Sequence, residues 1–121
     1  MAKKILIVDD YADTRSFMKF LIESYGFLVL EASDGQEAID TVKLNSPDLV
    51  LMDIEMPVMS GLTATKIIRK FDGMAKLPII ALTAYGESYY RQAIEAGCDD
   101  LINKPLDFEM LEPLLNQYLK N

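Results

Sequence analysis

The sequence predicts an α/β domain built on a doubly wound, five-stranded parallel sheet. Short apolar runs alternate with segments of helical period along the whole chain, and the runs are unbroken rather than alternating apolar with polar. An unbroken run suits a strand buried on both faces, and strict alternation with helical crossovers makes the strands parallel. At 121 residues the chain has the length of one domain with one real core, and residues 1–121 are read as that domain.

The elements follow in order. Ile5–Val8 is the first strand and runs into Asp9 and Asp10. The first helix places Met18, Leu21, Ile22 and Tyr25 on one stripe and ends near Gly26, a residue suited to the left-handed cap position. Phe27–Leu30 is the second strand, and Ser33-Asp34 offers an N-cap for the second helix. Leu49–Met52 is the central strand; it ends on Asp53, with Pro57 and Gly61 shaping the loop behind. Ala64, Ile67, Ile68 and Phe71 mark the third helix, and Ile79–Leu82 leads to Thr83. Tyr90, Ala93 and Ile94 mark the fourth helix, closed by Gly97. A weak run, Leu101–Ile102, precedes Lys104-Pro105, and Leu111, Leu114, Leu115, Tyr118 and Leu119 form the last buried stripe.

Composition excludes several functions. The chain has no histidine, which removes Ser-His-Asp catalysis, Cys-His pairs and His-ligated zinc. Cys98 is alone, so no intrachain disulfide is expected, in keeping with a cytoplasmic setting. No apolar run approaches a membrane span, and "MAKKILIVDD" lacks the long apolar core of a signal peptide. A net charge of −7 without a basic face argues against direct nucleic-acid binding.

In open α/β sheets the functional crevice lies beyond the carboxyl ends of the strands. Asp9, Asp10, Asp53, Thr83 and Lys104 all fall there. Crowded carboxylates need counter-charge, and Lys104 supplies only one. A hard divalent cation suits an all-oxygen site, which points to magnesium. Metal, lysine and carboxylate together suit phosphoryl transfer, with an aspartate as nucleophile and Thr83 donating to the new phosphoryl oxygen.

The segments "ILIVDD", "DLVLMDIEMPVMSGL", "PIIALTA" and "AGCDDLINKP" resemble, in order and register, the receiver domain of response regulators, the phospho-acceptor half of two-component signalling. The resemblance implies a flavodoxin-like (βα)5 fold with strand order 2-1-3-4-5. It implies phosphorylation of Asp53, with Thr83 and Lys104 on the phosphoryl group. Magnesium would be held by Asp9, Asp10, Asp53 and the backbone carbonyl of Glu55, and the Lys104–Pro105 bond would be cis. The donor would be a sensor histidine kinase or a histidine phosphotransfer protein, since this chain has no histidine to act as one. The output would be contact with a downstream protein over the helix 4–strand 5–helix 5 face, from a monomer or weak homodimer. Receivers often carry an aromatic residue where this chain has Leu101, and Glu55 and Tyr85 would flank the path of an attacking water.

Two rival readings share features of the pattern. A haloacid-dehalogenase-like phosphatase also forms an aspartyl phosphate, but needs a second aspartate where this chain has Glu55. A flavodoxin-like electron carrier needs Ser, Thr and Gly after the first strand, where this chain has Asp-Asp-Tyr-Ala-Asp. Asp99-Asp100 are expected to cap or solvate the approach to strand five, and Cys98 to be a small buried residue.

Overall fold

The computed structural model describes residues 2–119. These form β1 (Lys4–Val8), α1 (Ala12–Ser24), β2 (Leu28–Ala32), α2 (Gly35–Asn45), β3 (Leu49–Asp53), α3 (Gly61–Arg69), β4 (Ile79–Thr83), α4 (Gly86–Ala96), β5 (Asp100–Asn103) and α5 (Phe108–Leu119). The strands are ordered β2-β1-β3-β4-β5 and every pairing is parallel, as expected.

The period of two along each strand divides the core into two layers. Ile5, Ile7, Leu49 and Leu51 face α1 and α5, where Ile22 and Leu115 meet them. Leu6, Val8, Val50 and Met52 face the opposite way, toward Val42 of α2, Ile68 of α3 and Ala93 of α4. Burial of each large aliphatic side chain contributes about 1.5–3 kcal/mol. The three central strands, β1, β3 and β4, therefore anchor the sheet, while β2 and β5 are only partly covered.

The edge strands depart from the apolar runs. β2 extends to Glu31 and Ala32, and Phe27 lies buried just before it. With one strand neighbour, β2 can expose Leu28 and Glu31, so hydrophobicity does not mark its ends. α4 departs too: Tyr90 and Ile94 are 57% and 41% exposed. Its buried residues are Gly86, Ala93 and Ala96, with Tyr89 packed against the core. The buried line of this helix is made mainly of small residues, and Tyr90 and Ile94 fall one step round from it. In α3 the stripe's last member, Phe71, lies beyond the helix end at Arg69 but still packs on the core.

The caps behave as read. Gly26 takes φ +96° after α1 and Gly97 takes φ +111° after α4, both in the left-handed region that suits glycine. Asp34 accepts the Glu37 N–H at 2.8 Å. Asp99 Oδ2 accepts from the Ile79 N–H at 2.8 Å and from Arg69 at 3.0 Å, joining the start of β4 to the approach of β5. Asp100 accepts from the Tyr118 hydroxyl, and Cys98 is buried against Thr65.

Candidate functional site

The parallel register sets the predicted residues along one sheet edge. Val8 pairs with Met52 and Asp53 with Leu82, so β1, β3 and β4 deliver Asp9, Asp53 and Thr83 side by side. Lys104 follows β5, its N–H donating to the Thr83 carbonyl at 2.8 Å. The Lys104–Pro105 peptide bond is cis.

Asp53 is 2% exposed. Lys104 Nζ lies 3.2 Å from its Oδ2, and the Glu55 N–H donates to its Oδ1 at 3.2 Å. Burial pushes the Asp53 carboxyl up to about 6; Lys104 opposes the shift while the Asp9 and Glu55 charges add to it. For Lys104, burial favours the neutral form, but the facing Asp53 and Asp9 outweigh it and raise the ammonium above its ordinary value.

Asp9 is fully buried. Its Oδ1 accepts from the Tyr11 N–H at 2.9 Å, while its Oδ2 has no hydrogen-bond partner. Lys104 Nζ lies 3.6 Å from that oxygen, close enough for charge attraction but too long for a hydrogen bond. A buried, unpartnered carboxylate oxygen is costly. Oxygens of Asp9, Asp10 and Asp53 lie within 4.8 Å of one another. Against three carboxylates, one ammonium leaves an uncompensated negative charge, and the all-oxygen donor set fits a hard divalent cation such as magnesium.

The loop behind Asp53 is held tightly. A Cβ at Gly61 would overlap the Asp53 carbonyl oxygen and lie 2.8 Å from Met52 Cγ, and the Gly61 N–H donates to the Ile54 carbonyl at 3.1 Å. The glycine is thus needed for close approach of α3 to the end of β3.

Across the site, Glu55 turns its side chain toward the end of β4. Its Oε2 accepts from the Thr83 hydroxyl at 2.7 Å and its Oε1 from the Ala84 N–H at 3.2 Å. Tyr85, expected beside the water path, is 60% exposed, with its ring edge-on to Tyr89 at 6.5 Å. Three features had no signal in the sequence. They are the Glu55 carboxylate on Thr83 and Ala84, the Arg15 guanidinium on the Asp9 carbonyl at 2.7 Å, and Asn103 Oδ1 accepting the Gly86 N–H at 2.9 Å. Each depends on the path of a loop that no residue pattern marks.

A buried aspartate touching a lysine, beside two further acids and a hydroxyl, has the parts for phosphoryl transfer to a carboxylate. A family model described as "Response regulator receiver domain" matches residues 5–116. The chemotaxis protein CheY of Bacillus subtilis (strain 168) is 43% identical, the match covering 98% of this chain and 99% of that protein. The hybrid signal transduction histidine kinase M of Dictyostelium discoideum is 39% identical over 97% of this chain, which spans only 5% of the kinase. The crystal structure of the receiver domain of sensor histidine kinase PA1611 from Pseudomonas aeruginosa PAO1, with a magnesium ion in its active-site cleft, superposes with a TM-score of 0.92. It is 29% identical, and the match covers 100% of each chain.

Proposed function

The chain belongs to the response regulator receiver domain family of two-component signalling, and from that premise we propose that it accepts a phosphoryl group onto Asp53 from a phosphohistidine of a partner protein. The observation that carries the proposal is the buried Asp53 carboxylate in contact with Lys104 and beside Asp9 and Asp10. A carboxylate oxygen of Asp53 attacks phosphorus, the bond from phosphorus to the imidazole nitrogen breaks, and the bonding pair leaves with the imidazole. Lys104 offsets charge on the phosphoryl oxygens, and Thr83 donates a hydrogen bond to one of them. Asp9, Asp10, Asp53 and the Glu55 backbone carbonyl would hold magnesium, which supplies positive charge to the same oxygens. Hydrolysis of the aspartyl phosphate resets the domain; apart from gaining and losing this group, the chain is a signalling module rather than an enzyme of turnover.

Donors of the required chemistry are a sensor histidine kinase or a histidine phosphotransfer protein. The output surface we assign is the α4–β5–α5 face. It exposes Tyr90, Ile94 and Met110, and a groove of about 420 Å³ lies between β5 and α5, lined by Leu101, Pro105 and Leu106 among others. The oligomeric state proposed is a monomer or weak homodimer, and the setting cytoplasmic. Among the described residues, no helix is long and apolar enough to cross a membrane. The phosphatase reading gains no support, because Glu55 accepts two hydrogen bonds, the opposite of a general acid's role. Incubation with phosphorylated histidine kinases tests the proposal: label should reach the parent chain and not Asp53→Asn.

A further inference from the structure

The Thr83 hydroxyl, which would donate to the phosphoryl group, and the Ala84 N–H beside it are both already occupied in the resting chain. Glu55 Oε2 takes the Thr83 hydroxyl and Oε1 takes the Ala84 N–H. Each of these donors has a single proton, so neither can serve a second acceptor at full strength. The Tyr85 N–H also donates to Thr83 Oγ1 at 3.0 Å, which narrows the directions left for the hydroxyl proton. Meanwhile the Glu55 N–H donates to Asp53 Oδ1, tying the two acids into one short turn.

A carboxylate and a phosphoryl group present similar things to such donors: anionic oxygens that accept strong, charge-assisted hydrogen bonds. We propose that Glu55 is an internal stand-in for the phosphoryl group, its carboxylate filling the Thr83–Ala84 donor pair at rest and vacating it when a phosphoryl oxygen on Asp53 takes its place. This rests on the reading of Asp53 as the acceptor. Glu55 is then a positioning residue with two effects. It holds Thr83 and the following loop in one arrangement before phosphorylation, and it makes the incoming group compete for donors that are not free. The switch at β4 becomes an exchange of one anionic acceptor for another.

Repulsion alone would give Glu55 a simpler influence, since its charge disfavours any anion arriving nearby. The two accounts separate in a double-mutant cycle with Thr83→Val, which keeps the side-chain shape and removes the hydroxyl. Initial rates of Asp53 phosphorylation by acetyl phosphate with magnesium are the readout. Glu55→Gln should raise the rate about three- to tenfold, the range for releasing one net hydrogen bond, and should give a clearly smaller gain in the Thr83→Val background. Equal factors in both backgrounds, or no gain from Glu55→Gln, would overturn the exchange.

The resting state supplies a second reading that needs no phosphorylation. The Ala84 amide proton should move upfield in Glu55→Gln and further in Glu55→Ala as the charged acceptor is lost. An amide that does not move overturns this inference alone. A moving amide in a parent chain that takes no phosphate would overturn the acceptor reading and the competitor role with it.

Discussion

Lys104 Nζ sits 3.2 Å from Asp53 Oδ2 and 3.6 Å from Asp9 Oδ2, so one ammonium serves two carboxylates that are 2% and 0% exposed. The pairing is insufficient in a telling way. Burial and the neighbouring Asp9 and Glu55 charges outweigh Lys104, and Asp53 is pushed up to about 6. A carboxylate this reluctant to ionise costs the folded chain stability wherever it is charged.

Stability should therefore fall with rising pH through this group. The folded chain holds the Asp53 proton up to about pH 6, well above the ordinary aspartate value of 3.8. The contribution is fully present below about pH 4 and lost as pH rises through 6. Without divalent cations at pH 8, Asp53→Asn should be more stable than the parent by about 1–3 kcal/mol, with the gap closing toward pH 4. Denaturant unfolding in chelator at several pH values measures this; a gap that widens toward acid pH would contradict it.

Magnesium should reverse that penalty. The unpartnered Asp9 Oδ2 and the three clustered acids would give the cation a site in the folded chain only. At a concentration about a hundredfold above its dissociation constant it should add about 2.7 kcal/mol. Thermal melts should show the parent stabilised by magnesium and Asp10→Ala much less so. Asp10 is exposed, so its loss should leave the fold intact. An equal magnesium response in that variant would remove Asp10 from the ligand set.

Gly61→Ala should damage both stability and the site. The added methyl would overlap the Asp53 carbonyl oxygen, and forcing atoms into a packed position costs about 1–3 kcal/mol. Denaturant unfolding should show that loss, together with slower phosphorylation as Asp53 is displaced. Unchanged stability would mean that α3 is free to shift, contrary to its close packing on β3.

The central strands were legible in the sequence because β1, β3 and β4 are buried on both faces and so wrote themselves as unbroken apolar runs. The edges wrote no such signal: β2 continues through the exposed Glu31, and β5 takes in Asp100 and Asn103 beyond its short run. α4 misled for a related reason, since its fully buried residues are alanine and glycine, with Tyr89 packed beside them, while Tyr90 and Ile94 face solvent. Asp9, Asp53, Thr83 and Lys104 were locatable because strand ends in a parallel sheet converge. The docking of Glu55 on Thr83 was not, because it depends on how the loops after β3 and β4 face each other across the cleft.

The most direct measurement is intact-mass spectrometry after incubation with acetyl phosphate and magnesium. The parent chain should gain the mass of one phosphoryl group, and Asp53→Asn, which keeps the side-chain shape but removes the nucleophile, should gain none. Undiminished labelling of Asp53→Asn, or no labelling of a folded, magnesium-loaded parent, would contradict the assignment of Asp53 as the phospho-acceptor.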